Sequence, residues 1–350
     1  MALTLLTVFC LSAFVLAQDN NEKVTPRFVV IAPKPPAPGT ASPASTLEEW
    51  NGSFTYNNHQ YNYVMVGADP STNQGALIPT IVIPVKIVLS DGTTFDPLKG
   101  GPFSALARTI TSPIFDKTTN YTQGGVNLGS TQYIDAYQRG NFWSIVQNNM
   151  NSHLLLGGAT ARLTVLPTLT LNVPSGSGHL GHPFNGHPAG EVDINYFDGQ
   201  ISTYMTQQPQ IQPNTIPMFI VNDVYLTEGG CCIGGYHSAN GSQTYLMFDY
   251  VDFPGDFSQD VSALSHEVGE WADDPLTNGG NGSPCGILEN GDPLENTKNY
   301  GGYPYMLNGF TYNLQDLVFL RYFGADPNGS VNSWWSFQNY PFTKICQNGS

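Results

Sequence analysis

The segment SHEVGEWADDP at residues 265–275 places His266, Glu270 and Asp274 at i, i+4 and i+8. If the segment is helical, that spacing brings the three side chains onto one face, one turn apart. Asp260 or Ser258 can cap such a helix and Pro275 stops it, so the pattern predicts a helix over 260–273. On a helical wheel Val261, Leu264, Val268 and Trp271 share one side, with His266, Glu267, Glu270 and Asp274 opposite. An ordinary amphipathic helix with a wet polar side would satisfy that pattern. Two further features point past it. Glu267, Glu270, Asp273, Asp274, Glu289, Asp292 and Glu295 crowd a stretch with no Lys or Arg from Asp260 to Glu295, in a chain of which only 11% is charged. A bound cation relieves the repulsion among them. Gly269 also removes a side chain between the polar positions, admitting a close neighbour at a cost of ~1 kcal/mol in helix propensity.

The rest of the chain limits where such a helix works. Residues 1–17 form an apolar run ending in Val15-Leu16-Ala17, which reads as a signal peptide even though its first residues carry no Lys or Arg. No later apolar run is long enough for a membrane span, so the expectation is a secreted, extracellular protein with no membrane association after cleavage. Apart from Cys10 in the leader, four cysteines are present, Cys231, Cys232, Cys285 and Cys346, an even number suited to disulfides. A vicinal bridge strains the intervening peptide, so Cys285 is expected to join one of the adjacent pair and Cys346 the other. The net charge of −15 repels nucleic acid and anionic membranes. Glycosylation sequons stand at Asn51, Asn120, Asn240, Asn281, Asn328 and Asn348.

Residues 18–46 are rich in Pro, Ala and Ser and read as a linker, with folding proper from residue 47 to 350 as one large domain or two lobes. Strands are expected at 80–89, 161–171, 217–226 and 243–250, where β-branched and aromatic residues run between Gly, Pro or Asp. Helices are expected at 131–149, with a break near Gly140, at 260–273 and at 314–323. This mixture predicts an α+β fold with a mixed, mainly antiparallel sheet and few helices.

Two ligands one helical turn apart can grip one cation, and the residue beside the first can activate a water bound to it. His266-Glu267-x-x-Glu270 followed by Glu289 resembles the active-site pattern of the zincin metallopeptidases, with Glu270 standing where the second histidine is usual. The resemblance implies a zincin-like fold around the 260–273 helix, Zn²⁺ held by His266, Glu270 and Glu289, and Glu267 as general base. Asp274, His237 and Asp292 are additional candidates for the same centre. The expected substrate is a peptide or protein, and the strand at 243–250 is expected to be an edge that holds it beside the helix. The longer block around this motif, including CCIGGYHSANG and CGILENGDPLE, also resembles a group of secreted proteins with no established activity. The competing reading is a non-catalytic extracellular module, stabilised by a metal, that binds glycan or protein. A third is glycoside hydrolysis by two carboxylates such as Glu267 and Glu289.

Weaker signals surround the main one. His179, His182 and His187 lie in a Gly/Pro-rich loop that suits a polar surface turn, or that could bring an imidazole to the centre. Asp249, Asp252, Asp256 and Asp260 could bind Ca²⁺, though without the twelve-residue order of an EF-hand. The chain contains no G-x-S-x-G, P-loop or dinucleotide fingerprint, which leaves serine-hydrolase, nucleotide and Rossmann chemistry without support.

Overall fold

A computed structural model of the chain describes residues 24–35, 46–56, 59–123, 126–157, 163–277, 291–294 and 298–315. Residues 1–17, expected as a signal peptide, together with Cys285, Glu289, Cys346 and the sequons at Asn281, Asn328 and Asn348, lie outside the described residues. In chain order the strands are β1 (Arg27–Val30), β2 (Glu49–Tyr56), β3 (His59–Val66), β4 (Gly75–Val88), β5 (Thr94–Phe95), β6 (Asn120–Gln123), β7 (Val126–Ser130), β8 (His153–Gly157) and β9 (Thr164–Val165). They continue as β10 (Leu169–Asn172), β11 (Gly178–Gly181), β12 (Ala189–Asp193), β13 (Ile216–Asn222), β14 (Val224–Thr227), β15 (Cys231–Asn240), β16 (Gln243–Tyr250), β17 (Gly302–Leu307) and β18 (Phe310–Gln315). The helices are α1 (Ala105–Ile110), α2 (Tyr133–Asn141), α3 (Trp143–Val146), α4 (Ile194–Gln207) and α5 (Ser262–Asp273).

The fold is α+β around one large mixed sheet, ordered β10-β4-β13-β16-β15-β14-β12-β11. Pairing is parallel from β10 through β4 and β13 to β16, and antiparallel from β16 through β15 to β14. Beside that order β1 pairs with β15, and β5, β8 and β9 pair with β4; three separate antiparallel hairpins, β2–β3, β6–β7 and β17–β18, complete the described strands. The sheet is buried on both faces, which explains why its central strands are apolar almost throughout. Along β13, Ile216, Met218 and Ile220 join the core on one side while Phe219 and Val221 join the core on the other. β16 alternates likewise, with Leu246 and Phe248 against Tyr245 and Met247. Helix α5 packs on the first face over β15 and β16, and α4 covers the second, where Phe197, Ile201 and Met205 are buried.

Several expectations need correction. The region read as linker contributes β1, because Arg27-Phe28-Val29-Val30 precedes the Pro-rich run and pairs in parallel with β15, burying Phe28. The strand at 243–250 is no edge: β16 lies between β13 and β15, as its two buried faces require. The 131–149 helix divides at Phe142 rather than Gly140. Leu314 and Gln315 are strand residues of β18, and residues 316–323 lie outside the described set. Cys231 and Cys232 are bonded to each other across a cis peptide, their Cα atoms 3.1 Å apart, so the adjacent sulfurs meet without an outside partner.

The 217–226 run also divides, into β13 and β14, at Asp223, which adopts a left-handed φ of 53°. Its Oδ1 accepts the Asp252 amide at 2.9 Å, and burial, assisted by the nearby charges of Asp252 and Asp256, pushes its pKa up to about 7. Because the folded pKa lies above the unfolded one, the folded state holds the extra proton between about pH 4 and 7, and stability is lost as pH rises through that window. Asp223→Asn keeps an acceptor and suits the left-handed turn. It is expected to raise stability by about 1–2 kcal/mol at pH 8 and to change little at pH 4. Thermal unfolding at both pH values checks this; equal effects at both would contradict it.

Candidate metal centre

Helix α5 begins after Val261 and ends where the Asp274 amide donates to the Glu270 carbonyl at 2.8 Å, one residue before Pro275. Asp260 does not cap it through the expected geometry. Its carboxylate instead receives the backbone and side-chain amides of Asn313, tying β18 to the start of the helix. Ser265 continues that link, its Oγ accepting the Gln315 amide at 2.7 Å. The polar face of α5 is consequently not wet: His266, Glu267 and Glu270 are each 0% exposed.

Those three residues meet His237 of β15 and Asp292 in a short 3₁₀ turn at Asp292–Leu294. His266 Nε2 lies 3.0 Å from Glu270 Oε2 and 3.5 Å from Asp292 Oδ1. His237 Nδ1 lies 3.3 Å from Glu267 Oε2 and 3.8 Å from Glu270 Oε2. His266, Glu270 and Asp292 thus form one group whose candidate ligand atoms all fall within 4.8 Å, and His237, Glu267 and Glu270 form another. A tetrahedral zinc with bonds near 2.0 Å spaces its ligand atoms about 3.3 Å apart, so these separations suit the edges of a coordination polyhedron.

The second nitrogen of His266 fixes the character of the first. Gln315 Nε2 donates to the Gly291 carbonyl at 3.2 Å, which orients its Oε1 toward His266 Nδ1, and that nitrogen must donate the proton they share. In the neutral ring Nε2 therefore offers a lone pair to two carboxylates. Only a proton or a metal cation makes that contact favourable. Burial holds the His266 pKa down at about 4, although Asp292 and Gln315 pull it upward, so a proton is disfavoured at neutral pH. Burial, with the neighbouring His266, takes His237 down to about 3, the Asp274 backbone acting the other way. Two neutral imidazoles beside carboxylates are the donor set that divalent zinc prefers.

Close backbone approach completes the pocket. A Cβ on Gly291 would overlap the His266 ring, and one on Gly235 would stand 2.7 Å from Glu267 Oε1. The Gly291 amide donates to Glu270 Oε1 at 2.9 Å, and Phe28 of β1 stacks on His266 with centroids 3.9 Å apart.

Of the candidates named from sequence, His266, Glu267, Glu270, His237 and Asp292 come together, while Asp274 is buried at the helix end and belongs to neither group. Glu289 lies outside the described residues. His179 and His187 serve elsewhere: His179 is 3.6 Å from Glu191, and His187 is 2.7 Å from Asp256 and stacked on Phe253. Asp249 accepts the Val224 amide and Asp256 holds Asn185 and His187, so these acids have separate structural duties. Gln315, Gly235, Gly291 and Phe28 escaped the sequence reading. Their roles depend on contacts between distant segments, and no local pattern announces them. Comparison with known protein families, with characterised proteins and with solved structures finds no match to this chain.

Proposed function

We propose that this protein is a secreted zincin-like metallohydrolase, acting most directly as a zinc-dependent peptidase. The observation that carries the reading is the convergence of His266, Glu270 and Asp292 at ligand spacing, with Glu267 beside them on the same helix. Zinc supplies two things when bound, polarisation of a carbonyl and a lowered pKa for water. The chain's own residues do the rest. His266 presents Nε2 because Gln315 engages Nδ1, and Glu270 is turned by the Gly291 amide. Glu267 is the proton acceptor, with Oε2 held 3.3 Å from His237 Nδ1. Glu289 remains a further candidate ligand by resemblance to the zincin pattern.

Glu267→Gln is expected to keep the metal held by His266, Glu270 and Asp292 and to lower peptide hydrolysis by about 10²–10⁴-fold, the usual worth of a positioned general base. Elemental analysis beside a peptide-library assay measures both, and undiminished hydrolysis would remove Glu267 from this role. One observation favours a second reading: His237, His266, Glu267 and Glu270 are all closed from solvent, as in a structural metal site. Zinc retained by wild type that hydrolyses no peptide in the library would favour that metal-stabilised binding module.

A further inference from the structure

We propose that the centre holds two divalent cations, bridged by Glu270. This rests on the metal centre proposed above and extends it. The two ligand groups have one member in common. Glu270 Oε2 lies 3.0 Å from His266 Nε2 and 3.8 Å from His237 Nδ1, whereas the two imidazoles fall in separate groups. An ion with bonds of about 2.1 Å spans ligand atoms no more than about 4.2 Å apart, so each imidazole marks its own position and the carboxylate between them reaches both. A carboxylate that bridges in this way sets two cations about 3.5–4 Å apart, the spacing used by two-metal hydrolases.

Charge and packing agree. Glu267, Glu270 and Asp292 bring three carboxylates to the two imidazoles, and no Lys or Arg occurs between Asp260 and Glu295. One dication leaves an excess negative charge in a site that is closed from solvent; two dications with one bound hydroxide come to neutrality. Each position also has its own glycine at its back, Gly291 behind His266 and Gly235 behind Glu267. Glu267 then serves the second position through Oε2 and keeps Oε1 as the proton acceptor. The substrate class that fits is a carboxylic amide or ester, whose attacking and departing atoms a pair of cations can steady together.

The test is the zinc content of the dialysed full-length protein, read by elemental analysis. About two equivalents are expected in wild type, about one in His237→Asn, and near zero in Glu270→Gln, which removes the shared ligand. One equivalent in wild type that survives His237→Asn and is lost in His266→Ala would overturn the second position while leaving the single-metal reading intact. No zinc in any of them would overturn both. A measurement without substitution guards against misfolded variants: Co²⁺ titration of metal-stripped wild type should saturate near two equivalents with an exchange-coupled magnetic signal. Saturation at one equivalent with an uncoupled signal overturns the inference.

Discussion

Removing metal with EDTA is expected to lower the melting temperature by roughly 6 °C, and restoring zinc should recover it. The reasoning starts from solvation. Glu267 and Glu270 are 0% exposed, Asp292 is close to them, and both histidines beside them are held neutral by burial. Uncompensated charges in such a place cost several kcal/mol, and for a chain of this length about 4 kcal/mol corresponds to a shift of that order. Helix α5 and β18 are joined across this centre through His266 and Gln315, so the loss should spread beyond the ligands. Differential scanning calorimetry on verified metal-free and zinc-loaded protein provides the comparison. Identical melting curves would mean that the acidic groups are balanced by something other than a cation.

Trp271→Ala should cost about 4 kcal/mol of unfolding free energy, as expected for a buried aromatic, and Trp271→Phe distinctly less. Trp271 is 0% exposed and lies on the face of α5 that meets β16, where its Nε1 donates to Thr244 Oγ1 at 3.0 Å. Truncation therefore opens a cavity and strands a buried hydroxyl acceptor together. The residue also follows Glu270 directly, so a shift of the helix to fill the space would misplace that ligand, and weaker zinc binding should accompany the lost stability. Urea titration monitors the first effect. An unfolding free energy within about 0.5 kcal/mol of wild type would show that the helix is not anchored through this side chain.

How far the fold could be read in advance depended on whether a pattern was local. The helix was legible because i, i+4, i+8 spacing and Pro275 both belong to neighbouring residues. β4 and β16 were legible because strands covered on two sides are apolar on two sides. Gln315 was illegible: its segment has a helix-like periodicity, and only pairing with β17 and the hydrogen bonds to Ser265 and His266 set it as strand. The burial of the acidic face was hidden for a different reason. A carboxylate-rich helix side reads as solvated unless its counter-charge is encoded nearby, and no Lys or Arg stands between Asp260 and Glu295. Strand β1 was lost in the Pro-rich composition that follows it, and the Cys231–Cys232 bond was set aside because the strain argument weighed against it.

Strand β15 gives the centre a built-in check on assembly. Consecutive residues of a strand face opposite ways, and here Tyr236 turns to the α4 side, where its hydroxyl donates to Asp198 at 3.1 Å, while His237 turns to α5. Sliding β15 by one position against its neighbours would exchange the two, delivering a phenol where an imidazole is needed and an imidazole where a phenol donates. A cation bound through His237, as proposed, would therefore reward one alignment and no other. The ion would act as an inspector of strand alignment during folding, and chains that mature without it should accumulate misaligned species that zinc added afterwards corrects only slowly.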